Sequence, residues 1–309
     1  MGWGRMTSSA WSRDDKPRSD HRAGLRRPLT FFSVRPGRTY LAGAPLLVAH
    51  RGGSRLAPEN TRAAFAQAVH HWGADMLEMD VRLTRDGEVV VIHDDTVDRT
   101  TDGSGRVADC TYEELERLDA GYRFLDLEGR ASFRGRGVTV PRFEDVLVEF
   151  PGMRMNVETK EPQVAGPLVD IIRRNEASSR VLVAAEFERC RRAARGYPGP
   201  WGASRHHAFW VWTLHRLPGG GGYTPAADIL QVPETWAGGR IVTPEFIRAA
   251  HRRNLPVQVW TVDDPADMRR LLSWGVDGIQ TDRPDLLSEV LMDVAGRPPP
   301  PGPSQNLTP

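Results

Sequence analysis

The chain has 309 residues, 39% of them hydrophobic, with 41 basic against 40 acidic side chains. That composition suits two average globular domains or one large α/β barrel. The near-zero net charge leaves no electrostatic footprint for nucleic acid, and no apolar run approaches the roughly 20 residues of a transmembrane span.

The charge is unevenly spread. Residues 1–42 carry nine Arg or Lys and three Asp or Glu, so the remainder is mildly acidic. This arm shows no sustained periodicity and is expected to be a disordered basic leader. Its apolar stretch Leu29–Phe32 is too short for a secretory segment. Cys110 and Cys190 form no metal or redox motif, and the cytoplasm is the expected location. Residues 294–309 read as a Pro-rich tail without core-forming side chains. Residues 43–293 between them match the size of one (β/α)8 barrel, about 250 residues.

Across that span short apolar runs alternate with helical patterns, the mark of βα units around a parallel sheet. Leu46–His50 is the first strand candidate. Asn60 then caps a helix whose buried stripe is Phe65, Ala68, Val69 and Trp72. Met76–Val81 is the second strand. Val89–His93 is strand-like too, but only Thr84–Glu88 separates the two. A parallel crossover needs about a dozen residues, so this pair should be a hairpin turning at Asp86-Gly87. Its register brings His93 opposite, or nearly opposite, Asp80. Residues 98–140, rich in Gly, Arg and Asp, break the βα rhythm and read as a small cap inserted over the barrel.

The remaining strand candidates are Met155–Lys160, Val181–Ala185, a weak Trp201–Ser204, Ile229–Val232, Val257–Val262 and Gly278–Thr281, which makes eight. Thr243-Pro244 and Asp264-Pro265 each set a cap residue before Pro at the first helical position, and Gly275 ends the second of these helices. The expected fold is a (β/α)8 TIM barrel with a small cap after the second strand's hairpin.

Glu78 and Asp80 are two apart on a strand and so share one face. Two carboxylates there repel each other unless a cation sits between them, and a hard divalent ion with oxygen ligands fits. A solvated edge strand is the alternative, but Met76, Leu77, Met79 and Val81 make the run too apolar for it. Glu158 and Lys160 repeat the pattern on another strand, as a third oxygen ligand and a phosphate contact, or as a structural pair. His50 ends a strand, where barrel enzymes place their chemistry, and Arg51 follows it. With His93 it makes two histidines at strand ends near carboxylates, suited to acid–base work. Glu59 either orients a ligand hydroxyl or suits a helix N-terminus. Trp260 is a core aromatic or a wall against the substrate. Asp282 reads as structural, and Gly219–Gly222 as a loop rather than a nucleotide cradle.

These residues resemble the glycerophosphodiester phosphodiesterases from about residue 45 to residue 290. The likeness runs through Ala49-His50-Arg51-Gly52, Pro58-Glu59-Asn60-Thr61, Gly73-Ala74-Asp75, Glu78-x-Asp80-Val81, Thr84-x-Asp86-Gly87, His93-Asp94 and Arg99-Thr100-Thr101. It continues through Asn156-x-Glu158-x-Lys160, Trp260-Thr261-Val262 and Asp277-Gly278-Ile279-x-Thr281-Asp282. The resemblance implies a barrel that hydrolyses glycerophosphodiesters to glycerol 3-phosphate and an alcohol. It implies one divalent ion, Mg²⁺ or Ca²⁺, on Glu78, Asp80 and Glu158, an acid–base pair of His50 and His93, and Arg51 and Lys160 on the phosphate. Where the family often shows Ser-Phe after the Val181–Ala185 strand, this chain has Glu186-Phe187. A lysophospholipase D-like activity is the runner-up, with Trp210, Trp212, Trp236 and Trp260 lining an acyl groove. A phospholipase C-like lyase and a non-catalytic phosphodiester-binding barrel are weaker alternatives.

Overall fold

The structure is a computed structural model that describes residues 39–217 and 222–302. Most of the expected leader, the end of the expected tail and Gly219–Gly221 lie outside the described residues.

The strands are β1 (Leu46–Ala49), β2 (Met76–Leu83), β3 (Val89–Val91), β4 (Arg154–Thr159), β5 (Val181–Ala184) and β6 (Leu230–Pro233). They are followed by β7 (Thr235–Trp236), β8 (Gly239–Arg240), β9 (Val257–Trp260) and β10 (Gly278–Thr281). The helices are α1 (Arg62–His70), α2 (Tyr112–Glu116), α3 (Phe143–Glu149), α4 (Ala165–Arg174) and α5 (Glu188–Ala193). α6 (Arg205–Leu214), α7 (Pro244–Arg252), α8 (Pro265–Trp274) and α9 (Pro284–Ala295) complete the set.

Seven parallel strands run in the order β5-β4-β2-β1-β10-β9-β6, with β3 paired antiparallel to β2. The expected fifth strand, Trp201–Ser204, shrinks to two parallel bridges, Val183 with Trp201 and Gly202 with Ile229. They join β5 to β6 and close the (β/α)8 barrel. Gly202 lies so near β5 that an added Cβ would stand 3.2 Å from Ala184. Only a short extended stretch fits that gap.

The barrel strands end earlier than the apolar runs suggest. His50, Lys160 and Thr261 fall just past the strand ends, where the backbone turns into the loops of the C-terminal mouth. The inner face below them sets Leu46, Val48, Met76, Leu182 and Ile229 beside a hydrogen-bonded group of Gln231, Gln258 and Gln280. Phe65, Leu147, Leu168, Phe246 and Leu287 pack the helices onto the outer face. Each such buried side chain contributes about 1.5–3 kcal/mol.

The leader ends sooner than expected. Tyr40 and Leu41 are buried, and the Tyr40 hydroxyl donates to the Met155 carbonyl at 2.9 Å, plugging the N-terminal end of the barrel. The tail begins later than expected, because α9 reaches Ala295 and Arg297 pairs with Asp75. Thr243 and Asp264 cap their helices as expected, and Gly275 closes α8 in the left-handed region.

Candidate active site

The turn after β1 determines much of the site. Arg51 has φ +50, and Gly52 and Gly53 have φ +84 and +92, so the chain reverses tightly at His50–Gly53. A Cβ on Gly52 would stand 2.7 Å from the Ala64 Cβ, so only glycine lets α1 approach this closely. The reversal aims the Arg51 amide at Glu78 Oε2, 2.9 Å away, and sets His50 Nε2 3.9 Å from the same oxygen.

Asn60 does not cap α1. Thr61 does, its Oγ1 accepting from the Ala64 amide at 3.2 Å. Asn60 sits in the left-handed region at φ +59, which asparagine tolerates. Its amide donates to Asp80 Oδ2 at 3.0 Å, and its carbonyl oxygen accepts from the Asp80 amide at 3.3 Å. The residue expected to start a helix is instead spent on an acidic side chain.

Glu78 and Asp80 are both almost fully buried, and with Glu158 on the adjacent β4 they form an acidic cluster. One carboxylate oxygen from each lies within 4.8 Å of the others. Lys160 Nζ stands 2.9 Å from Asp80 and 2.8 Å from Glu158, and Arg51 Nε is 3.2 Å from Asp80. Burial raises the Asp80 pKa, but Lys160 and Arg51 outweigh it and hold the group down at about 2. Glu78 has no lysine or arginine side chain paired with it among the described residues, only the His50 imidazole at 3.9 Å. Burial first, and then the Asp80 charge, push it up to about 7, although His50 opposes them. The cluster is thus short of positive charge at Glu78, and its donors are all carboxylate oxygens. That donor set suits a hard divalent ion.

The hairpin delivers His93 as expected. Val81 pairs with Val91 and the Ile92 amide donates to the Asp80 carbonyl, so His93 lies one residue beyond Asp80's partner. Arg82 Nε donates to the His93 carbonyl at 2.8 Å and pins that backbone. His93 Nδ1 lies 2.7 Å from Asp94, whose pKa is about 2: burial raises it, and Arg99 and His93 lower it further.

Two neighbours escaped the sequence reading. Asp282, read as structural, lies 2.7 Å from His50 Nδ1. Burial lowers the His50 pKa, but Glu78 and Asp282 overcome it and hold the imidazole at about 9. The available signal was barrel closure, since β10 pairs with β1 through Ala49 and Thr281 and so sets Asp282 beside His50. Arg99 spans the cap edge, donating to Asp94 at 2.5 Å and to both Glu59 oxygens at 2.6 and 2.8 Å. Glu59 also accepts from Arg51 at 2.9 Å. It is therefore tied up by two guanidiniums at the helix entrance, without a free oxygen aimed at a ligand hydroxyl. Trp260 ends β9 on the rim of the mouth, about a third exposed.

Asp282→Asn should cost about 10²-fold in kcat, by loosening the ring it holds. It should also lower the His50 pKa, read by histidine proton NMR. An unchanged titration would show that Asp282 does not act on His50.

A closed parallel barrel with an acidic cluster and two carboxylate-held histidines at its C-terminal mouth has the layout of a barrel enzyme. The family model described as "Glycerophosphoryl diester phosphodiesterase family" matches residues 50–194 and 215–286. A Mycobacterium tuberculosis protein named "Probable glycerophosphodiester phosphodiesterase 2" is 35% identical over 257 residues, 81% of this chain and 92% of that protein. A glycerophosphodiester phosphodiesterase of Caldanaerobacter subterraneus is 33% identical, over 78% of this chain and 96% of that one. The solved structure of an Oleispira antarctica phosphodiesterase, in complex with the product sn-glycerol-3-phosphate, superposes with a TM-score of 0.65. At 23% identity it covers 80% of this chain and 97% of that one, and it shows the shared fold. The chain belongs to the glycerophosphoryl diester phosphodiesterase family and is an enzyme of phosphoric diester hydrolysis.

Proposed function

We propose that the enzyme hydrolyses glycerophosphodiesters to glycerol 3-phosphate and an alcohol, with one divalent ion and two histidines. The convergence of Glu78, Asp80 and Glu158 between His50 and His93 carries this reading. The three carboxylates would hold the ion, Mg²⁺ or Ca²⁺, which would supply Lewis-acid stabilisation of the phosphoryl oxygens.

The chain's own side chains do the rest. One of His50 and His93 removes a proton from the attacking hydroxyl, either of water directly or of the neighbouring glycerol carbon, in which case a second step opens the cyclic phosphate with water. The other delivers a proton to the departing alcohol oxygen. Asp282 and Asp94 fix the two rings by bonding to Nδ1 and leave Nε2 for the substrate. Lys160 and Arg51, already among the carboxylates, offset phosphate charge. Glu59 acts by orienting Arg51.

The direct test is a panel of glycerophosphodiesters with Mg²⁺, with Ca²⁺ and with chelator, following glycerol 3-phosphate. Release should require metal and fall to background in chelator. Full activity in chelator would refute the metal-dependent reading.

One observation favours lysophospholipid cleavage as a second reading. Phe187, Trp236 and Trp260 follow or end strands on one arc of the mouth and are each more than a third exposed. Trp212 does not join them, because it packs against the barrel's outer core. Turnover on a lysophospholipid against glycerophosphocholine separates the two readings.

A further inference from the structure

A cavity of about 470 Å³ opens between the β1–α1 loop and the cap, within the usual range of small-ligand sites. Ser54, Arg55 and Glu59 form its barrel wall, and Arg99, Arg123 and Phe124 belong to its cap wall. A small recess beside His93 shares Glu59, Thr100 and Ala120 with it, so the cavity abuts the acid–base site.

The charges on its walls are unequally spent. Glu59 is held by Arg51 and Arg99. Asp126 accepts from Arg130 and from the Glu128 and Arg130 amides. Arg99 is spent on Glu59 and Asp94. Arg55 and Arg123, by contrast, form no ion pair among the described residues. The Arg55 amide donates to the Asp282 carbonyl, which anchors its loop to the end of β10. The Arg123 guanidinium lies over the Tyr122 ring at 5.4 Å and donates to the Thr101 carbonyl at 3.3 Å. Two cations thus face a cavity whose carboxylates are already engaged. A choline or ethanolamine group would meet like charge there and find no unpaired carboxylate on the walls, whereas an anionic group would find two guanidinium donors.

From this we infer that the cavity selects substrates whose alcohol carries a second anionic group, a carboxylate or a phosphodiester, bound by Arg55 and Arg123. The inference rests on the proposed hydrolysis and names its substrate class. Phe124, with Leu125 and Leu127 beside it, covers the carbon skeleton between the two charges.

The test compares kcat/KM of the wild type, Arg55→Gln and Arg123→Gln on four diesters. Glycerophosphoglycolate supplies a carboxylate without an ammonium and bis(glycerophospho)glycerol a second phosphodiester, and their relative rates tell the two sources apart. Glycerophosphoglycerol is neutral in its alcohol and glycerophosphocholine cationic. The wild type should favour the two anionic alcohols. Each variant should raise KM for them about tenfold, the scale of one charge-assisted hydrogen bond, with kcat and the choline substrate unchanged. A wild-type preference for choline, or an equal loss on all four substrates, would overturn the inference.

If no diester is cleaved, the proposed hydrolysis fails, and binding then decides the cavity separately. Calorimetric titration of bis(glycerophospho)glycerol and glycerophosphocholine in chelator should show tighter binding of the former, weakened in both variants. Equal binding of the two compounds would overturn the inference there.

Discussion

His50→Ala and His93→Ala should each lower kcat by about 10²–10⁴-fold, the range of a positioned acid or base. The two should differ in stability. His93 is half-buried, and its partner Asp94 keeps the Arg99 guanidinium when the ring is gone. Its unfolding midpoint should stay at the wild-type value. His50 is more enclosed and holds Asp282, which no Arg or Lys contacts among the described ion pairs. Removing the ring leaves that carboxylate with only the Ser54 hydroxyl and the more distant Arg51 charge, at a cost of about 1–3 kcal/mol. Denaturant unfolding beside steady-state kinetics reads both effects, and near-wild-type hydrolysis by either variant would falsify the acid–base assignment.

Glu78→Gln should abolish the stabilisation that metal confers and raise the stability of the metal-free protein at neutral pH. The sign follows from the raised folded-state pKa of Glu78, about 7 against an ordinary value of 4.5. Between those values the folded protein holds a proton that the unfolded chain has released. Stability therefore falls as pH rises through this window and stays reduced above it. Glutamine removes the penalty, and the gain should be absent below pH 4.5. In the wild type, saturating metal at about 100 times its Kd should add about 2.7 kcal/mol. Thermal unfolding of both proteins with and without Mg²⁺ measures these terms. A full metal-induced shift in Glu78→Gln would remove Glu78 from the ligand set.

Much of the fold was legible because barrel strands and helices write their periods into the chain. Met76–Val81 and Val257–Trp260 declare themselves by short runs dense in apolar residues, and Thr243 and Asp264 by their Pro neighbours. The weak strand at Trp201 proved weak in the structure as well, reduced to two bridges. Asn60 misled because asparagine suits both a helix cap and a left-handed turn, and only the position of Asp80 decides between them. Glu59 likewise suits a helix start, and its two arginine partners come from opposite sides, Arg51 from the β1 turn and Arg99 from the cap.

The sequence by itself determined the barrel, the hairpin that returns His93 to the carboxylates, and the pairing of Glu78 with Asp80 on one face. All of these follow from local periodicity and short loops. Only the tertiary structure decided that Asp282 holds His50, that Asn60 serves Asp80, and that Arg55 and Arg123 face one cavity. Those contacts depend on where β10 closes beside β1 and on how the cap settles over the mouth. Local patterning specifies which way a side chain faces, whereas its partner across the barrel is set by packing of the whole closed sheet.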